Sequence, residues 1–272
     1  DRSGLQDEMN SWVYPLHFID FETTMVAIPF GANRAPYEGI AFQFSHHTVD
    51  KDGTVKHAGE FLNVEPGYFP NYDFVRALRE ALRHDEGTVT RWSHHENTIL
   101  EAIKAQLIEE SDPPSDRTVL ISFIDSITTG GERAMVDLAK VAKERYFHPS
   151  TKGSNSIKKV LPAVLSHSVY LRETYRNPIY GAVGGIASLN FQDMTWWSQD
   201  SNRKVIDPYE LLITQLDGLD EDVIKAESIN QGGAASYAYL KLQYEDLNDQ
   251  ERYSLRQGLL RYCELDTLAM AF

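Results

Sequence analysis

The stretch HFIDFETT, residues 17–24, decides the fold, because it sets two carboxylates inside a segment that otherwise reads as a buried strand. Phe18, Ile19 and Phe21 are apolar and favour extended backbone, so the segment belongs in a sheet, where an unpaired charge is expensive. Asp20 and Glu22 are separated by one residue. On a strand their side chains share one face, with Cα atoms about 7 Å apart, and like charges held that close call for a cation. Taken alone, a D-x-E pair also fits a half-exposed strand whose polar face happens to be acidic, so the choice falls to the rest of the chain.

Past this strand, two β-rich runs flank Asp52-Gly53, a pair suited to a hairpin turn, and the first three strands form an antiparallel meander. Reading DKDG as the start of a calcium loop fails, because Val55 and His57 fill the later ligand positions. From Asn71 the pattern becomes helical: FVRALREALRHD aligns Phe74, Leu78 and Leu82 on one face. A short strand, GTVTRWS, and a second helix, NTILEAIKAQLIEE, follow. Pro113-Pro114 ends that unit, and an apolar run VLISFIDSI comes next. Gly130-Gly131 precedes AMVDLAKVAKERYF, a short strand or helix start feeding a helix. Residues 167 to about 230 lack clear periodicity, contain GAVGG and lead into NQGG, and read as an insertion packed over the core. The last segment, ERYSLRQGLLRYCELDTLAM, is a helix with Leu255, Leu259, Tyr262, Asp266 and Ala269 at spacings of three and four. A tyrosine and an aspartate therefore share its inward face with core leucines. Three meander strands followed by α/β units predict an α/β fold with a mixed sheet flanked by helices.

The chain of 272 residues, 42% hydrophobic, suits one domain over residues 13–272, with residues 1–12 expected to be a linker remnant of a longer parent chain. No apolar run approaches the roughly 18 residues that span a bilayer, and DRSGLQDEMN does not resemble a signal peptide. A single cysteine, Cys263, excludes an internal disulfide and a cysteine-rich zinc site, and a cytoplasmic setting is expected. The net charge of −14, from 26 Lys+Arg against 40 Asp+Glu, opposes non-specific attraction to nucleic acid. A polyanionic substrate would need bound metal, a confined basic patch or another domain. His46-His47 and His94-His95 tempt a zinc reading, but neighbours on a strand point to opposite faces, so one buried and one exposed histidine is expected in each pair.

The strand D-x-E at Asp20 and Glu22, an acid after a middle strand, and the Y-x-x-x-D pair Tyr262 and Asp266 together resemble the DEDD exonuclease superfamily, in its Tyr subtype. For the middle acid, Glu96 follows GTVTRWS, opens a helix and stands four residues before Leu100, giving the D-x-x-x-L rhythm with Glu in place of Asp. Asp125 and Asp137 are the alternatives. A narrower resemblance rests on VDL at 136–138, YFHP at 146–149, GSNSIKKVLP at 153–162 and YCELDTLAM at 262–270, and is to a bacterial family of DEDD-like domains without assigned function.

The resemblance implies a ribonuclease H-like fold and a metal-dependent 3′-to-5′ exonuclease acting on single-stranded DNA or RNA. It also implies that Asp20, Glu22, Glu96 and Asp266 hold two Mg²⁺ or Mn²⁺ ions, which answers why the carboxylates sit in the strand. Tyr262 would orient the attacking water, because an unperturbed phenol titrates near about pH 10. Thr23, Ser154 and Lys158 are assigned to the substrate, the last two near a helix start where phosphate is favoured, although an ordinary cap with Ile157, Val160 and Leu161 as core accounts for the same pattern. Trp196 and Trp197 read either as core or as a platform for bases. Two alternatives stay open: a nucleic-acid-binding module that has lost turnover, and a metal-dependent endonuclease.

Overall fold

The computed structural model of the chain describes residues 2–31, 34–213 and 233–272. Strand β1 (Leu16–Met25) lies at the centre of a five-stranded sheet, with β2 (Gly39–Val49) and β3 (Val55–Leu62) on one side and β4 (Val89–Arg91) and β5 (Val136–Asp137) on the other, in the order β3-β2-β1-β4-β5. The β1–β2 and β2–β3 pairings are antiparallel and the β1–β4 and β4–β5 pairings parallel. This is an α/β fold with a mixed sheet in a ribonuclease H-like arrangement. Gly53, at φ +86°, supplies the left-handed turn residue of the β2–β3 hairpin, and the Asp52 carboxylate accepts from the Thr54 N–H at 2.9 Å.

One face of the sheet carries α2 (Asn71–Leu82), α3 (His95–Glu109) and α4 (Arg117–Ile127). Ile19, Phe21 and Phe44 from the strands meet Phe74, Leu78, Leu100 and Ile124 in a closed apolar core there. The run VLISFIDSI is part of α4, burying Leu120, Ile124 and Ile127 at spacings of four and three. The opposite face is crossed by the long helix Asp249–Ala271, designated α10, which opens with a capping box between Asn248 and Glu251. Beside it pack α6 (Ile157–His167) and α9 (Gly233–Tyr244). Between them, α5 (Leu138–Arg145) follows β5, α7 (Val169–Tyr175) follows α6, and α8 (Pro208–Ile213) precedes α9.

Of residues 1–12, Arg2–Asn10 form helix α1, whose Glu8 reaches Arg145 of α5 at 3.9 Å. The expected insertion is described up to residue 213 and lies outside the described residues from 214 to 232. Its described part packs as core: Tyr180, Phe191, Met194 and Trp196 join Leu161, Leu165, Leu265 and Leu268 of α6 and α10. Trp196 is fully buried and the Trp197 indole N–H donates to the Leu165 carbonyl at 3.0 Å, so both tryptophans serve packing and not base stacking.

Neither histidine pair divides into one buried and one exposed residue. His46 and His47 do point to opposite faces, but β2 is covered on both, so both are buried: His46 meets His17 at 2.8 Å, and His47 meets Thr267 of α10 at 2.7 Å. His94 and His95 lie at the start of α3 rather than on a strand, and both are exposed.

Candidate metal centre

Cross-strand register fixes which way the strand acids face. Asp20 stands opposite Ser45 and Glu22 opposite Gln43, and directly opposed residues share a face. The Gln43 side-chain amide donates to the Leu259 carbonyl of α10 at 2.7 Å, and Ser45 Oγ meets Thr267 Oγ1 of α10 at the same distance. Asp20 and Glu22 therefore face α10, while Ile19 and Phe21 between and beside them point into the core beneath α2 and α3. A bulge follows immediately, with β2 contributing Phe42 as an extra residue opposite the Glu22/Thr23 step. Phe42 turns to the α9 side and stacks on Tyr239 at 4.0 Å.

Three elements then converge. β1 brings Asp20 and Glu22, the first turn of α3 brings Glu96, and α10 brings Tyr262 and Asp266. Asp20, Glu22, Thr23, Ser154, Lys158, Tyr262 and Asp266 all line one cleft of about 580 Å³. Glu96 is withdrawn from solvent at 2% exposure. Burial pushes the Asp20 carboxyl well above the ordinary range, and the charges of Asp266, Glu22 and Glu96 add to the shift. Burial likewise pushes Glu96 up to about 8; its own backbone N–H and Arg91 oppose the shift, while Asp137 and Asp266 reinforce it. Glu96 Oε2 is buried with no hydrogen-bond partner among the described residues. Ionising Glu96 with this oxygen orphaned among other acids is costly unless a cation joins it. The all-oxygen donor set suits a hard divalent ion.

The other two candidates for the middle acid are engaged elsewhere. Asp125 is half exposed and pairs with Lys104 at 2.7 Å on the outer side of α3 and α4. Asp137 caps α5, accepting from the Lys140 and Ser93 N–H groups at 3.1 Å each, and pairs with Arg91 at 3.2 Å.

Two residues that the sequence reading did not single out belong to the site. The Tyr209 hydroxyl, on α8, donates to Asp266 Oδ1. Nothing near Tyr209 in sequence signals this, since the two residues are 57 apart. Cys263 Sγ lies 3.6 Å from the Asp20 carbonyl and 3.8 Å from Asp20 Oδ2, and the ligand atoms of Asp20, Glu22 and Cys263 fall within 4.8 Å of one another. Burial, followed by the Asp20 and Glu22 charges, pushes the Cys263 thiol well up, so it stays a neutral donor to Asp20 and not a thiolate ligand. Its spacing of three from Asp266 was the available signal.

At the mouth of the cleft, the Lys158 ammonium lies over the rings of Tyr209 and Tyr262, at 5.2 and 5.3 Å from their centroids. Thr23 Oγ1 is 3.0 Å from His95 Nε2, and Ser154 Oγ accepts from the Ser156 N–H at 3.2 Å. Ser156 is the N-cap residue of α6, without a side-chain cap bond, and Val160 and Leu161 are core, so the capping pattern and the cleft share one helix start.

The sheet and the cleft define an α/β protein with a ribonuclease H-like arrangement and a buried acid cluster at the face of its central strand. A family model described as Domain of unknown function (DUF2779) matches residues 17–156, just over half of the chain, and the protein belongs to that family. The match takes in Asp20, Glu22 and Glu96; Tyr262 and Asp266 lie beyond it. No curated protein matches the chain. Among the described residues no helix is long and apolar enough to cross a membrane.

Proposed function

We propose that this protein is a metal-dependent 3′-to-5′ exonuclease of the DEDD superfamily, Tyr subtype, cleaving phosphodiester bonds of single-stranded nucleic acid. The observation that carries the reading is that Asp20, Glu22 and Asp266 line one cleft beside Tyr262, with the orphaned Glu96 Oε2 buried close enough behind them for its charge to act on Asp20. The four acids would hold two Mg²⁺ or Mn²⁺ ions, which when bound would lower the pKa of water and neutralise charge developing at phosphorus. Tyr262 would orient the attacking water, and Lys158, carried over two aromatic faces, would meet the substrate phosphate with Ser154 and Thr23 beside it. Hydrolysis would release nucleotides from the 3′ end. One buried, reduced cysteine suits a cytoplasmic setting, and a surface of net charge −14 favours further domains of a longer chain as the source of basic charge.

A catalytically weak nucleic-acid-binding module is the second reading, favoured by the withdrawal of Glu96 from solvent. It predicts metal binding without turnover.

The test is a time course on 3′- and 5′-labelled single-stranded DNA and RNA in Mn²⁺, Mg²⁺ and EDTA. Stepwise shortening from the 3′ end is expected, lost in EDTA and abolished by Asp20→Ala and Asp266→Ala, with both variants folded. Tyr262→Phe is expected to keep metal binding and lose about 100-fold in rate. Undiminished cleavage in either aspartate variant would sink the assignment, and internal fragments would indicate an endonuclease.

A further inference from the structure

Asp266 has an aromatic hydroxyl seated on it. Tyr209 reaches it from α8, whose first turn is fixed by the Asp207 carboxylate accepting from the Tyr209 N–H at 3.1 Å. The phenol packs against the apolar cluster of Trp196, Leu212, Leu265 and Leu268, and its ring lies 6.1 Å from that of Tyr262. A carboxylate has two oxygens, and this contact engages Oδ1 of a side chain whose charge also acts on Asp20 and Glu96. Carboxylates that ligate metals are commonly held in this way, by a hydrogen bond to the oxygen that does not ligate.

We propose that Tyr209 is a positioning residue for the metal centre, holding Asp266 through Oδ1 so that its second oxygen is fixed toward Asp20 and Glu96. The inference rests on the metal-centre reading above and adds a residue outside its Y-x-x-x-D pair. Tyr262, four residues before Asp266 on the same helix, lines the cleft.

The experiment is a calorimetric titration of the full chain with Mn²⁺, comparing wild type, Tyr209→Phe and Tyr262→Phe, with circular dichroism as the check on folding. Tyr209→Phe is expected to weaken Mn²⁺ binding about 10- to 100-fold. Tyr262→Phe should stay near the wild-type affinity. A purely structural role for Tyr209 would lower the melting temperature of the metal-free protein without moving the Mn²⁺ affinity. Should Tyr209→Phe fail to fold, Asp207→Ala loosens the start of α8 and is expected to weaken Mn²⁺ binding in the same direction by a smaller factor. Wild-type affinity in the folded variant overturns the inference alone, and so does tighter binding, which would make the phenol a competitor for Oδ1. A wild-type protein that binds no Mn²⁺ overturns the metal centre and this inference with it.

Discussion

Glu264 and Asp266 stand two residues apart on α10, point to different sides of it, and are buried in opposite ways. Glu264 is fully withdrawn from solvent and well supplied with donors. Tyr180 OH and Ser188 Oγ each donate to its Oε1 at 2.5 Å, the Asn190 amide donates to Oε2 at 2.9 Å, and His57 Nδ1 lies 3.1 Å from Oε2. Burial alone would push this carboxyl up, yet the hydrogen bonds of His57, Ser188 and Tyr180 hold it below its ordinary value. Around Asp266 the neighbours include more acids, Asp20 and Glu96, both pushed up. One buried carboxylate is answered by protein donors and ties the segment around residues 180–190 to the sheet and helix. The other cluster has an oxygen, Glu96 Oε2, that no group among the described residues answers, an arrangement that the metal-centre proposal accounts for.

The largest expected effect breaks the satisfied side. Glu264→Ala removes the common acceptor of four donors and should destabilise the protein by about 3–5 kcal/mol in urea unfolding. A loss below about 1 kcal/mol, the size of an ordinary hydrogen bond, would mean that the network is not holding the fold.

On the other side the expected sign is reversed. Because Glu96 is raised from 4.5 to about 8 in the folded chain, the folded state binds more protons than the unfolded state between those values. Metal-free stability should therefore fall as pH rises through that window, by on the order of a few kcal/mol. Urea titrations at pH 5 and pH 8 read the slope, and Glu96→Gln should flatten it. Excess Mn²⁺ should oppose the fall, since the ligands must be deprotonated to bind. A slope of the same size in Glu96→Gln would place its origin elsewhere. The smallest effect concerns the rim: Lys158→Ala should weaken single-strand binding across sequences and reduce the slope of log affinity against log salt by about 1. An unchanged slope would make Lys158 a packing residue between two tyrosines.

Much of this was legible in the sequence where periodicity carries information. The D-x-E strand, the Phe74/Leu78/Leu82 helix face and the inward Tyr262 and Asp266 each follow from local spacing, and the meander follows from Asp52-Gly53. Contacts between distant segments were not legible. His46 and His47 are both buried because helices cover β2 on two sides, which no window on the strand can reveal. Tyr209 reaches Asp266 across the fold, and the tryptophans at 196 and 197 are core because α6 and α10 close over them. Glu264, next to the site residues in sequence, gave no sign that its donors come from β3 and from residues 180–190.

The position of α10 also bears on when the protein acquires its site. Asp20 lies on the first strand and Asp266 near the end of the last helix, so the acids meet only by closing a loop of more than two hundred residues. Loop closure grows costly only slowly with length, but such non-local contacts form late in folding. A chain emerging from the ribosome therefore carries its strand acids through more than two hundred further residues of synthesis before the helix that brings Asp266 to them exists.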